Sequence, residues 1–289
     1  MAAVSLPPDY PYAAPPAAPE RRKPRWWLVA IVVVWALVIA GFAVWSVRKD
    51  PPTVPEQRDI AEALPVLQKT VGVLFSVADG PDRVLVIGDV EFDRDCALTP
   101  VRAGVEATRD VTVHVRADQA PAALDDIAAK LPAGWVAAVR ESSNGNRHVM
   151  RADAGEFVGV QAAADLNATV FTLRASTGCR PLADGVDLDP EDGPGAGLEA
   201  VLQAIGAPVD SPATRSEVAC PAGGKTASTV VADGLPVPGD IGRAVQPLVA
   251  GALVVQADPH TWAFRSGDQG VVVSDRDGEA RASITSGCS

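Results

Sequence analysis

RASTGC, residues 174–179, and ASITSGC, residues 282–288, end two stretches of one chain in nearly the same way. Working back from each ending gives the same order of features twice. VLQKTVG at 66–72 answers VLQAIG at 201–206, and each is followed by a cysteine, Cys96 or Cys220. VTVHVRADQAP at 111–121 answers STVVADGLP at 228–236. ALDDIAAKLPAGW at 123–135 answers GDIGRAVQPLVAGAL at 239–253, and the closing segments follow. Similarity at a fixed order and spacing is the mark of an internal duplication. We assign copy 1 to residues 59–182 and copy 2 to 198–289, joined by an acidic, glycine-rich linker at 183–197.

The periodicities give each copy its elements. Val111, Val113 and Val115 share one side of an extended segment, with Thr112, His114 and Arg116 on the other, the period of a half-buried strand. Leu124, Ile127, Ala128 and Leu131 recur at helical spacing, with Pro121 suited to the first turn and Pro132 closing the run. In copy 2 the same helix is loosely marked by Ile241, Val245 and Leu248. Gly242 and Pro247 make it short or distorted. WVAAVRES, RHVMRA, EFVGVQAA and TVFTLRAS then read as antiparallel hairpins, with a turn at Asn144–Gly145. Their counterparts are ALVVQAD, TWAFRSG, GVVVSDRD and RASITSG. The fold class is α+β: a leading helix, one or two strands, a crossing helix and a small antiparallel sheet per copy.

Four cysteines allow three pairings. The duplication selects Cys96–Cys179 and Cys220–Cys288, one bridge closing each copy. Such bridges persist outside the reducing cytoplasm.

Preceding both copies is RRKPRWWLVAIVVVWALVIAGFAVWSVRKD, residues 21–50. Trp26–Val47 contains no charge, and a helix of that length spans about 33 Å, matching a bilayer's hydrocarbon layer. Trp26, Trp27 and Trp45 stand at its ends, where indoles favour the interface. Arg21, Arg22, Lys23 and Arg25 precede it, against Arg48 and Lys49 after it, so the N-terminus is expected in the cytoplasm and the bulk outside. A cleaved leader would have a shorter apolar core and a small-x-small site. The run therefore reads as a retained single-pass anchor at 26–47, with the lipid bilayer as its first partner and a stalk at 48–58. Residues 1–25 carry seven prolines and both tyrosines. Such a tail cannot form a core and reads as an extended spacer, with docking to a cytoplasmic partner as the alternative.

The formal net charge is −11 over 289 residues. Removing the tail's two acidic and four basic residues leaves 34 acidic and 21 basic residues beyond it. That balance argues against nucleic acid and permits a basic partner. The alanine-, valine- and glycine-heavy composition suggests a high-GC bacterial chain, in which the Asn167-Ala168-Thr169 acceptor pattern has little consequence.

Candidate chemistry is sparse. VDLDPEDGPGAG at 186–197 resembles a calcium loop, with Asp187, Asp189 and Glu191, but its sixth position is Asp192 and its twelfth Leu198. His114 is read as an exposed sheet residue and His148 as a solvated loop residue. Asp93–Asp95 and Asp125–Asp126 are carboxylate pairs of the kind any acidic surface carries. Asp258, His260 and Trp262 form the best local cluster for recognising a ligand, since an indole face and a titratable ring could share a surface. No catalytic residue, metal site or cofactor is expected. The function expected is a membrane-anchored, extracytoplasmic binding or protein-interaction module without enzymatic activity. The alternatives are a signalling or complex-assembly component using the cytoplasmic tail, or an extracytoplasmic hydrolase.

Overall fold

The computed structural model describes residues 26–49, 58–188, 193–194, 196–221 and 223–288. The tail at 1–25 and most of the stalk lie outside these residues, as does the middle of the linker. The chain forms two units, residues 1–51 and 52–289.

The first unit contributes helix α1, Trp26–Lys49. Every side chain from Trp26 to Trp45 is exposed. The apolar residues run all round it, so it has no polar face to turn to water, the composition of a helix that lies in lipid.

The second unit holds both copies. Copy 1 opens with α2, Ile60–Ala78. The Asp59 side chain caps it by accepting from the Glu62 amide at 3.0 Å, satisfying one of the free N–H groups of the first turn. Ile60, Ala63, Leu67, Val71, Leu74, Phe75 and Ala78 are buried at helical spacing. Pro65 is tolerated because it faces solvent, where water serves the carbonyl it leaves unbonded. By length and composition α2 also passes as a membrane span, but half of that window is buried in the unit. Its apolar character is that of a core helix.

Six strands follow in copy 1: β1 (Val84–Asp93), β4 (Val105–His114), β5 (Ala138–Glu141), β6 (Arg147–Asp153), β7 (Gly159–Asp165) and β8 (Val170–Arg180). A small hairpin, β2 (Ala97–Thr99) and β3 (Arg102–Ala103), interrupts them after β1. Helix α3, Ala120–Lys130, crosses between β4 and β5. The antiparallel sheet runs β1-β4-β8-β7-β6-β5.

Copy 2 repeats the plan. Helix α4 (Glu199–Ile205) leads, then β10 (Thr214–Ala219), β11 (Thr226–Leu235), α5 (Ile241–Val245), β12 (Leu253–Asp258), β13 (Thr261–Ser266), β14 (Gln269–Arg276) and β15 (Glu279–Ser286). Its sheet runs β12-β13-β14-β15-β11-β10, and β9 (Gly193–Pro194), from the expected linker, adds a short edge beside β10. Read from its first strand, each sheet has the order first, second, sixth, fifth, fourth, third. The halves are repeat-like duplicated domains.

The bridges occupy equivalent places. Cys96–Cys179 and Cys220–Cys288 have Cα–Cα separations of 5.8 and 5.9 Å. Each ties the end of its copy's first strand to the end of its last, across the second strand. The crossing helix of copy 2 is as short as its glycine and proline imply. Gly242 is obligatory there, since a Cβ would lie 2.7 Å from the Trp262 ring.

Helices α2 and α3 cover one face of the first sheet, and α4 and α5 one face of the second. The opposite faces meet. Strand β1 touches β13, β14, β15, β11 and β10, so it runs across the second sheet rather than along it, an orthogonal sheet packing. Val84, Val86, Val255, Ala263 and Val272 form the dry centre of this junction.

Candidate functional site

The junction between the copies is where polar side chains converge. The two sheets come close at Gly270, where a Cβ would stand 2.9 Å from Val84 Cγ1. Nearby, the Ile87 amide, which points away from β4, donates to Thr229 Oγ1 at 2.9 Å. Thr229 in turn shares a 2.8 Å hydrogen bond with Thr285. These bonds satisfy groups that an undocked edge strand would leave to water.

Two arginines link the copies at the rim, and a third, Arg83, pairs within copy 1 beside them. Arg109 donates to the carbonyls of Gly88 (2.8 Å) and Glu217 (3.1 Å) and also bonds Gln68. Arg265 donates to Asp79 Oδ1 at 2.6 Å and to the Gly80 carbonyl at 2.9 Å. Arg83 reaches Asp126 Oδ2 at 2.6 Å, where Lys130 also binds at 2.9 Å. The hydrogen bond from Lys130, followed by that from Arg83, holds the Asp126 carboxyl below the usual range.

His114 corrects the expectation of an exposed sheet histidine: it is only 7% exposed. The second sheet covers the polar side of β4 at this point. His114 Nδ1 meets Gln256 Oε1 at 3.1 Å, and Gln256 Nε2 donates to Asp258 Oδ2 at 2.7 Å. The second bond fixes the amide orientation, so Gln256 presents its oxygen and Nδ1 carries the ring proton. Burial lowers the His114 pKa, against smaller opposing effects of Gln256 and Asp258.

Beside His114 a groove of about 350 Å³ opens between the sheets, lined by Thr112, Val170, Arg276, Arg281 and Ser283. It leads onto the outer half of the first sheet, which the second sheet does not reach. There Arg147, Val149, Arg151, Gln161, Thr172 and Arg174 line a shallow basin of about 490 Å³. Arg140 on β5 shares this face, because it pairs with Val149. Arg174 makes a bidentate pair with Asp110 at 2.9 and 2.7 Å, which raises its pKa. Arg147 lies 3.8 Å from Asp165.

No protein-family model matches the chain, and no curated protein matches it. It is a membrane-anchored protein with extracytoplasmic, disulfide-bonded sheet domains.

The candidates singled out from sequence are dispersed. Asp258 and Trp262 fall on opposite faces of the second sheet, since Asp258 pairs with Thr261 and Trp262 with Ala257. Trp262 packs against the copy 2 core and covers Gly242. His260 is an exposed turn residue 3.5 Å from Asp275, and its amide donates to Asp258. His148 lies on β6 rather than in a loop and meets Asp125 at 3.0 Å. Asp125 and Asp126 thus serve different partners. Asp93 and Asp95 form a turn through the Asp95 amide. The basin's arginines were missed, although Arg147, Val149 and Arg151 alternate with period two in the sequence.

Proposed function

We propose that this protein is a single-pass membrane protein, N-terminus in the cytoplasm, whose outer copies form a non-enzymatic module for binding another protein. The binding surface is the bare half of the first sheet together with the groove beside His114. The observation that carries this reading is the open basin itself: the docking of the copies leaves β5, β6 and β7 uncovered on one side. A sheet face lined by small side chains and framed by Arg140 and Arg151, with Arg147 and Arg174 beside them on Asp165 and Asp110, suits an extended segment bearing carboxylates, which arginine can grip in bidentate fashion. Net negative charge elsewhere keeps this patch distinct, and it reverses locally the preference for a basic partner that the overall charge suggests.

The test places a photo-crosslinking amino acid at Gln161 in the full chain, in its own membrane. A discrete adduct with one protein partner is expected, abolished by Arg140→Glu with Arg151→Glu. An adduct that survives the charge reversal, or equal labelling from Val209 on copy 2, contradicts the assignment.

A further inference from the structure

Among the described residues of the outer unit, seven large apolar side chains are exposed, and four of them gather at one end of the first sheet. They are Val101 (96% exposed), Val136 (81%), Leu182 (59%) and Phe157 (43%). Strand register places them together. Val101 sits at the tip of the β2–β3 hairpin, just before β4, and Leu182 follows Arg180, which pairs with Val105 at the start of β4. Phe157 lies in the turn from β6 to β7, where Gly159 pairs with Ser176 near the end of β8. Val136 enters β5, whose Ala138 pairs with Arg151 close to that turn.

Two of these side chains are held out at a conformational cost. Val136 has φ 43°, and Glu156 and Phe157 have φ 52° and 63°, directly after Gly155 at 89°. A β-branched or aromatic residue at positive φ is strained and persists only where its surroundings impose it. Buried Arg180 imposes the Phe157 turn. Its Nη2 donates to the Glu156 and Phe157 carbonyls at 3.1 Å each, and its Nε to the Thr177 carbonyl at 2.7 Å. Arg58 lies over the same ring at 5.9 Å and pairs with Glu156 at 2.9 Å.

This is also the end at which the chain enters the unit. The Ile60 amide donates to the Pro181 carbonyl at 3.0 Å. Only residues 50–57 separate Arg58 from the apolar helix α1, and eight residues span at most about 30 Å when fully extended.

We propose that this end of the first sheet is a lipid-contact face, with Val101, Val136, Phe157 and Leu182 entering the headgroup region of the bilayer that α1 crosses. Arg58, whose side chain is only 17% exposed, stays on Glu156 and the Phe157 ring and braces this face from behind, while the apolar side chains enter the interface. Protein binding at the basin and lipid contact at this end use different surfaces. The inference does rest on α1 being retained in the bilayer.

The experiment uses the full chain in nanodiscs of phosphatidylcholine and phosphatidylglycerol, one chain per disc. All four native cysteines are bridged, so a single introduced cysteine carries an environment-sensitive fluorophore. Reporters go in by Val101→Cys and Leu182→Cys, which are free of backbone strain, and by Phe157→Cys. Leu166→Cys, in the turn at the opposite end of the same sheet, is the control. Blue-shifted emission and at least twofold quenching by lipid-borne nitroxide are expected at the first three positions and not at 166. Water-like emission at all four overturns the proposal. So does a shift that tracks the number of chains per disc, which would mean contact between copies of the chain. A chain that leaves the discs altogether fails the anchor reading instead.

Discussion

In copy 1 the leading helix is 19 residues long and reaches beyond its own sheet, whereas in copy 2 it stops after seven. The core under α2 takes in Val218, Cys220 and Ala227 from the second copy. The core under α4 and α5 takes nothing from the first. One repeated plan thus takes two unequal forms, with copy 1 supplying the helix that fastens them. The matched heptad VLQKTVG and hexad VLQAIG show the divergence at a single residue. Gly72 is internal to α2 and lies against β10, where a Cβ would come 2.1 Å from the Ala219 carbonyl oxygen. Gly206 ends α4 in a left-handed turn with φ 75°. The letters align, but one glycine allows two copies to approach and the other turns the chain.

The comparison can be broken most severely at the bridges. Their sequence separations of 83 and 68 residues give about 4.5 kcal/mol each from chain entropy. Cys220 is buried in the shared core, while Cys96 is half-exposed. Cys220→Ala with Cys288→Ala should therefore lower the denaturation midpoint of both copies together. Cys96→Ala with Cys179→Ala should act mainly on copy 1, as proteolysis of the folded chain would show.

A smaller effect separates the two glycines. Gly72→Val should cost about 3 kcal/mol, because the β10 backbone cannot move aside without loosening the copies. Gly206→Ala should cost only about 1 kcal/mol, the penalty of a left-handed alanine. Equal losses in urea titrations would mean that α2 does not bear on β10 as described.

The mildest perturbation is pH. His114 has a depressed folded pKa, so it is neutral in both folded and unfolded chains well above pH 6.5. As the pH falls below 6.5 the unfolded chain takes up a proton that the folded chain refuses. Stability contributed by neutral His114 is therefore lost through that window and levels off below the folded pKa. Asp126, held low by Lys130 and Arg83, acts in the same direction only near and below its usual range. Denaturation midpoints measured from pH 8 to pH 5 should decline, and His114→Gln should flatten the decline.

Much of this fold was legible in the sequence because both copies carry local signals. The alternation in β4, the helical spacing of Leu124 and Ile127, the paired hairpins and the cysteine order all reflect contacts within one copy. What escaped notice depends on contacts between copies. The outer side of β1 presents Val84 and Val86 to the second sheet, so its sequence VLVIGDVEFD lacks a clean alternation and its strand was not placed. His114 sits on the polar side of β4, yet burial there is imposed by β12 from the other copy, at Gln256. For the same reason Trp262 reads equally well as a recognition residue or as the lid over Gly242; only the facing helix decides.

The docking of the two sheets is the claim on which the site, the asymmetry and the pH response all depend. Hydrogen exchange at the Ile87 amide of the full chain tests it most directly, because that N–H faces away from β4 and its partner is Thr229 of copy 2. Docked sheets predict protection at Ile87 close to that of the central strands. Exchange at the rate of an open sheet edge would mean that the copies do not meet there.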